Sequence, residues 1–332
     1  MEKKVLVAIL VAGMLGVSAC GDGGAKVSTV EPESSVVAEM SSETVGSSEE
    51  ESSAESEAAN IAEAEPEQVD MYEAFLKDEA LVYGYNTEND ADGDGGYSLS
   101  DVIEGFKEQY YGMQEIPAVE YAYIDCGNDG VKELVVRFVG MGIYEPGDDS
   151  TLVCVIKEID GQLELCHSYE TWARSETTMN QYGYLTSGGS NGASNHGFRA
   201  GYIDSVGQWN YLYYTEEEAD INQLAMDERL KNIPAVAANR SYDGNIYVAT
   251  TTFEEMLSAE DYLNTERFYT YYVDGAEDVY QDGVYKEIFD EAGVKFYLPE
   301  EIDAMIQEKE ASFGIDEEIK NAPEISWEKL SK

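Results

Sequence analysis

The sequence predicts an α+β fold, an antiparallel sheet meander with flanking helices, preceded by a disordered acidic tether. Three observations predict it. Runs of alternating apolar and polar residues cluster between residues 121 and 214, most helical patterns follow them, and a Ser/Glu-rich stretch without aromatic residues precedes both. Strands grouped first and helices grouped later are typical of α+β proteins, in which antiparallel strands pair with their neighbours along the chain.

The first 19 residues predict a signal peptide. Lys3 and Lys4 precede an apolar run, residues 5–17, that is too short to span a membrane comfortably. The exit sequence Val17-Ser18-Ala19-Cys20 resembles a bacterial lipobox. This resemblance implies that Cys20 becomes the diacylated first residue, anchoring the protein to the extracytoplasmic face of the cell membrane. The alternative is cleavage by an ordinary signal peptidase, with Cys20 incidental.

Residues 20–70 follow as a linker made almost entirely of Ser, Glu, Ala, Val and Gly. Such a composition buries too little apolar surface to offset the entropy of ordering, so we expect a disordered tether. From Met71 the composition changes, and we expect one globular α+β domain over residues 71–332.

The charge of the chain restricts its partners. Its 332 residues include 20 Lys and Arg against 68 Asp and Glu, a formal net charge of -48. This balance argues against binding nucleic acid or anionic lipid, both of which require basic patches. It favours a bound cation or a cationic partner.

Besides Cys20, the chain has three cysteines: Cys126, Cys154 and Cys166. No two of them have CxxC spacing, so they indicate neither a disulfide framework nor a zinc site.

Periodicity and capping signals locate the expected elements. Beyond the hairpin at residues 121–138, the expected strands are 151–159, 163–169, 182–185, 198–204 and 209–214. The expected helices are 71–83, 100–113, one that opens at Thr215 with Glu218 completing a capping box, 258–264, 285–292 and 299–313. Gly293 and Gly314 stand where C-terminal caps belong.

The hairpin at residues 121–138 contains the first candidate calcium loop. Its sequence, YAYIDCGNDGVKEL, resembles a hairpin found in Firmicutes lipoproteins. It is also similar to the FG-GAP/VCBS calcium loop, D-x-D-x-D-G-x-x-D. That likeness implies calcium ligands at Asp125, Asp129, Val131 and Glu133, since alternate oxygens of such a loop face one ion. The third loop position is Gly127, which offers no side-chain oxygen.

A second acidic loop, residues 90–101, resembles an EF-hand or dockerin loop. Its carboxylates occupy positions 1, 3, 5 and 12 and a glycine occupies position 6. The resemblance implies calcium ligands at Asp90, Asp92, Asp94, Gly96, Ser98 and Asp101. The alternative is an acidic surface loop in which Ser100 or Asp101 only caps the next helix.

The string Gly188-Gly189-Ser190-Asn191-Gly192 spells G-x-S-x-G, the pattern of an esterase elbow. That elbow requires a strand before the serine and a helix after it, whereas a polar loop and another strand follow here, so we expect a hairpin tip.

His167 and His196 are the only histidines of the chain. Ser190 and His196 lie so close along one loop that we expect no catalytic triad, and the two histidines lack zinc-site spacing.

These features predict no catalytic residue. We expect a non-enzymatic lipoprotein that binds calcium and a ligand or partner, either a cell-wall glycan or a surface protein. The 25 tyrosines either fill sheet faces or stack on sugar rings. The alternative is a cell-wall or glycan-active hydrolase that uses paired carboxylates, because such pairs leave no sequence motif.

Overall fold

The computed structural model describes residues 70–84, 95–109, 118–144 and 147–331. Within these residues the chain forms two mostly antiparallel sheets flanked by helices, which confirms the predicted α+β fold with a sheet meander. The predicted signal peptide, Cys20 and the predicted tether up to Val69 lie outside the described residues.

The first sheet of the described residues has six strands. They are β1 (Val82–Tyr83), β2 (Ala118–Ile124), β3 (Glu133–Val139), β4 (Thr151–Ile159), β5 (Gln162–Thr171) and β12 (Glu328–Lys329). Their order is β1-β5-β4-β3-β2-β12. The strands β2 to β5 form an antiparallel meander, β1 joins β5 in parallel, and β12 adds to the opposite edge.

The second sheet of the described residues is a six-stranded antiparallel meander. Its strands are β6 (Ser175–Met179), β7 (Tyr184–Ser190), β8 (Asn195–Ile203), β9 (Trp209–Glu218), β10 (Ile246–Thr252) and β11 (Phe268–Val273). They pair in chain order from β6 to β11. Each strand therefore pairs with its neighbours along the chain.

The helices of the described residues lie before, between and after the strands. They are α1 (Met71–Leu76), α2 (Leu99–Gln109), α3 (Asn232–Ala237), α4 (Ala259–Asn264), α5 (Val284–Ala292), α6 (Pro299–Ser312) and α7 (Glu317–Lys320), with one turn of 3₁₀ helix at Gln223–Met226. The helices from α4 to α6 lie within one residue of their predicted bounds. Gly293 is left-handed at the end of α5, as its capping role requires.

Strand β3 shows how the sequence builds a core on both faces of the first sheet. Leu134 and Val136 pack with the core that contains α1 and α2. Val135, which points to the opposite face, packs with Leu185 and Ile203 of the second sheet. The two sheets therefore share a core. At its edge the His167 ring stacks on Trp209, with ring centroids 3.9 Å apart.

The helix predicted over 71–83 is shorter than expected. Helix α1 ends at Leu76, and Asp78 takes a left-handed φ of 66° that no α-helix continues through. The chain then enters β1, where the Val82 backbone exchanges two hydrogen bonds of 2.9 Å with Tyr97. The buried Val82 therefore belongs to a strand and not to a helix.

The prediction of a helix that begins at Thr215 is wrong, because strand β9 continues through Glu218. Thr215 lies between Phe198 of β8 and Thr251 of β10, and its hydroxyl lies 3.0 Å from that of Thr251. Pairing on both sides satisfies the backbone, and a β-branched residue suits a central strand. The expectation that the chain is mainly helical beyond this point also missed β10 and β11.

Candidate functional site

The carboxylates of the β2–β3 turn are bound within the turn itself. Asp125 Oδ1 accepts hydrogen bonds from the amides of Asp129 at 2.9 Å and Gly130 at 3.0 Å. Asp129 Oδ1 in turn accepts one from the Val131 amide at 2.8 Å. Gly127 and Gly130 both take left-handed conformations, which glycine adopts at no steric cost.

Glu133, at the start of β3, is fully buried and links the turn to strand β4. One carboxylate oxygen binds Lys157, and the other accepts a hydrogen bond of 2.7 Å from the Cys126 amide. Burial raises the pKa of Glu133, and its bonds to Lys157 and Cys126 offset part of the rise. Burial would lower the pKa of Lys157, but the bond and charge of Glu133 outweigh it and raise that pKa.

The calcium predictions for both acidic loops stay predictions. Within the described ranges, no group of three or more His, Cys, Asp or Glu side chains could hold a metal ion. At the first loop, Asp125, Asp129 and Glu133 each bind protein atoms. At the second, Asp90, Asp92 and Asp94 lie outside the described residues.

The described end of that second loop forms a capping box at the start of α2. Asp101 Oδ2 accepts hydrogen bonds from the Ser98 amide at 3.1 Å and the Ser98 hydroxyl at 2.9 Å. The Asp101 amide bonds back to Ser98 Oγ at 3.3 Å. Gly96 fits tightly, since a Cβ there would lie 2.7 Å from the Tyr83 ring. These contacts match the capping alternative for Asp101.

Ser190 ends strand β7 and is followed by a four-residue turn and strand β8, so strands flank the G-x-S-x-G string on both sides. The antiparallel register places Ser190 directly opposite His196, and His196 directly opposite Glu217 on β9. The sequence indicated that Ser190 and His196 lie close along the chain, but not that they pair across two strands or that His196 pairs with Glu217. Ser190 Oγ donates its hydrogen bond to the Gly192 carbonyl at 2.7 Å.

Beside the paired residues Ser190 and His196 lies an open cavity of about 330 Å³, which we call the hairpin cavity. Its lining comprises Ala173, Arg174, Glu176, Gly188, Gly189, Ser190, His196 and Phe198. The register aligns Glu176, Gly188 and Phe198 across β6, β7 and β8. Phe198 is 50% exposed at this cavity. The cavity therefore combines an exposed ring with charged and hydroxyl groups.

Two glycines shape the hairpin cavity. A Cβ on Gly188 would lie 3.5 Å from the Phe198 ring, which thus packs over that bare backbone. A Cβ on Gly189 would lie 2.7 Å from the Arg174 carbonyl, a distance that real Cβ atoms do not reach. The glycines of the G-x-S-x-G string therefore allow Phe198 and Arg174 to approach the sheet.

More aromatic surface adjoins the hairpin cavity, where the chain crosses from β5 to β6. Trp172 stacks on Tyr144 with ring centroids 4.1 Å apart, and the Arg174 guanidinium lies 5.9 Å from the Trp172 ring. Trp172 and Ser175 exchange two backbone hydrogen bonds that close this crossing. The crossing fixes Arg174 between the Trp172 ring and the hairpin cavity.

The opposite face of β9 presents two neighbouring carboxylates. Asn195 Nδ2 lies 2.9 Å from Glu216 Oε1 and 3.4 Å from Glu218 Oε2, so both reach one amide group. The slot that Glu216 lines has a volume of only about 10 Å³, room for about one water molecule. A sugar ring does not fit in this slot beside Glu216.

Comparisons with protein-family models, with curated proteins and with solved structures returned no match. Across the part of the chain that the structure covers, no helix combines the length and apolar character needed to cross a membrane.

Sequence reasoning missed half of the residues that line the hairpin cavity. It singled out Ser190 and His196 but not Arg174, Glu176 or Phe198. The signal was present for Phe198, an aromatic residue two positions after His196 in an alternating strand, which must share the face of His196. Arg174 and Glu176 gave no such signal, because their place depends on the crossing between the two sheets.

Proposed function

We propose that this protein is a membrane-anchored extracytoplasmic lipoprotein and a non-enzymatic binding module for a cell-wall glycan. The observation that carries the proposal is the exposed Phe198 ring in the hairpin cavity, flanked by Arg174, Glu176 and His196. An aromatic face stacks on the apolar side of a sugar ring, while charged and imidazole groups bind its hydroxyls. A volume of about 330 Å³ suits one or two sugar units.

The N-terminal sequence supports the location. A lipid on the lipobox-like Cys20 would anchor the chain to the membrane, and some fifty acidic, Ser-rich residues separate Cys20 from the sheets. A flexible chain of that length has a typical end-to-end distance of about 40 Å, and self-repulsion extends it further. The hairpin cavity would then be able to reach the wall. Cells fed a labelled fatty acid should label the protein, and Cys20→Ala should abolish the label.

The binding test uses tetrameric N-acetylglucosamine and soluble peptidoglycan fragments as probes, with the full chain studied by calorimetry. We expect Phe198→Ala to weaken binding roughly tenfold, which corresponds to about 1.4 kcal/mol. Phe313→Ala is the matched control, since Phe313 is also exposed but lies at the end of α6. Equal binding by Phe198→Ala and the parent, or no binding of either probe by the parent, would overturn the proposal.

A separate measurement addresses hydrolysis. We expect no new reducing ends when the chain is incubated with the same fragments, because the slot beside Glu216 is too narrow for a sugar. We also expect a fluorophosphonate probe to leave Ser190 unmodified, since its hydroxyl donates to Gly192 in a strand–turn–strand setting. Stoichiometric labelling of Ser190 would show that the protein is an enzyme. So would reducing ends that the parent chain releases and the Glu216→Gln variant does not.

A further inference from the structure

The second unusual surface of this protein surrounds helix α4. Four large apolar side chains are exposed there: Met226 at 86%, Leu257 at 65%, Tyr262 at 50% and Leu263 at 70%. We call these four residues the α4 surface. None of the described side chains of α4 itself is buried. Neighbouring exposed apolar side chains of this size are typical of a binding surface.

Two arginines hold the α4 surface together. Arg229 donates to the Leu263 carbonyl and, at 3.3 Å, to the Thr265 carbonyl, which ties the segment after the 3₁₀ turn to the end of α4. Arg267 stacks on the Tyr262 ring at 4.2 Å and pairs with Asp227 at 2.8 Å, the residue after Met226. The surface is therefore preorganised, which lowers the entropic cost of binding.

The start of α4 is fixed as well. The Asp261 amide donates to Ser258 Oγ at 3.1 Å, and Asp261 Oδ2 accepts from the Leu257 amide at 3.2 Å. This reciprocal capping sets the direction in which the chain enters the helix. Leu257 and Leu263 thus occupy fixed positions at the two ends of a short helix.

The rim of the α4 surface is acidic. Glu254, Glu260 and Glu266 are exposed and form no ion pair with another described residue. The whole chain has a formal net charge of -48. This charge opposes a second copy of the chain and an anionic lipid surface, and it favours a cationic partner.

We infer that the α4 surface docks a cationic amphipathic peptide segment. The apolar face of that segment would cover Leu257, Tyr262 and Leu263, and its Lys or Arg side chains would meet the three rim glutamates. This inference goes beyond the proposed glycan binding and does not depend on it. It names a protein or peptide partner, whereas the hairpin cavity would take a sugar.

The test uses the full chain and a fluorescent amphipathic peptide made of Leu and Lys, about 14 residues long so that it can form a helix. Binding is measured by anisotropy at about 0.15 M salt, where surface charges are screened beyond about 8 Å. We expect Leu257→Ser with Leu263→Ser to weaken binding at least roughly tenfold. Val206→Ser is the matched control, because Val206 is 66% exposed in the β8–β9 turn.

Two further arms make the result decisive. Glu254→Gln with Glu260→Gln and Glu266→Gln should weaken binding and flatten its salt dependence. A scrambled peptide of the same composition should bind less tightly than the amphipathic one, because it presents no continuous apolar face. The acidic N-terminal stretch is common to every variant, so differences between variants report on the α4 surface.

Three outcomes would overturn the inference. The first is equal binding by the Leu257→Ser, Leu263→Ser chain and the parent. The second is equal binding of the scrambled and amphipathic peptides, which would assign the affinity to net charge alone. The third is a dimer that light scattering detects in the unliganded parent chain but not in the Leu257→Ser, Leu263→Ser chain. The α4 surface would then bind a second copy of the chain.

Discussion

The β2–β3 turn and the β7–β8 turn are both hairpin connections rich in glycine and asparagine, but they differ in where their polar groups point. In the first, Asp125 binds the amides of its own turn and Glu133 binds Lys157. In the second, Ser190 and His196, which pair across the two ends of the turn, line the hairpin cavity. The carboxylates of the first turn are thus bound to protein atoms, while the second turn borders an open cavity. Composition alone does not separate a turn of the first kind from one of the second.

The largest expected effect comes from the closed turn. Glu133→Gln should lower the free energy of unfolding by about 3–5 kcal/mol, because it leaves the Lys157 charge nearly buried without a counter-charge. Chemical denaturation measures this. Glu73→Gln is the control, since the Lys77–Glu73 pair is more than half exposed and its loss should leave the stability nearly unchanged. Similar losses in both variants would contradict the structural role of Glu133.

A glycine from each turn sharpens the comparison. Gly127 has a φ of 80°, and a Cβ there would lie 2.6 Å from the Ser205 backbone nitrogen, so Gly127→Ala should cost about 2 kcal/mol or more. Gly192 has no such φ, and its nearest neighbour would be 3.9 Å away, so Gly192→Ala should stay within about 0.5 kcal/mol. Thermal or chemical unfolding of both variants tests the contrast. Equal stability losses would mean that the β7–β8 turn is as constrained as the first.

The two histidines give a third contrast, in pH dependence. Burial, assisted by the charge of Arg199, lowers the pKa of His167 from 6.5 to about 3, while His196 is exposed at the hairpin cavity. Between these two values the unfolded chain binds a proton that the folded chain does not, so stability falls as pH falls. Below about pH 6 the loss should approach about 1.4 kcal/mol per pH unit.

Unfolding of His167→Phe and His196→Phe from pH 7 to pH 4 measures this contribution. We expect His167→Phe to lose this part of the pH dependence, and His196→Phe to retain it. A pH profile of His167→Phe that matches the parent would mean that the imidazole stacked on Trp209 takes up a proton in the folded state.

The sequence predicted the elements well where local signals agreed. Strand β4 matches its prediction, and Pro299 and Gly293 marked helix ends because their backbone preferences are local. It failed at Thr215, where a local capping pattern competed with strands on both sides and pairing won. Half of the hairpin cavity was not predicted, because Glu176 and Phe198 align only through the register of β6, β7 and β8.

A smaller effect tests the acidic loop at residues 90–101. If calcium binds there, millimolar calcium should raise the thermal midpoint, since binding to the folded state alone adds roughly 1.4 kcal/mol at ten times the dissociation constant. Asp92→Ala with Asp94→Ala should abolish the rise. A double variant that responds as the parent does would leave Ser98 and Asp101 as a helix cap and move any site to Asp125–Glu133.

The most direct test of the contrast between the two turns is the amide NMR spectrum of the full chain, titrated with soluble peptidoglycan fragments. We predict that the signals of Gly188, Ser190 and His196 shift as the fragment binds, because these residues line the hairpin cavity. The signals of Gly127 and Gly130 in the β2–β3 turn should stay in place. Shifts confined to the β2–β3 turn, with the β7–β8 signals unchanged, would contradict the assignment of the hairpin cavity as the binding site.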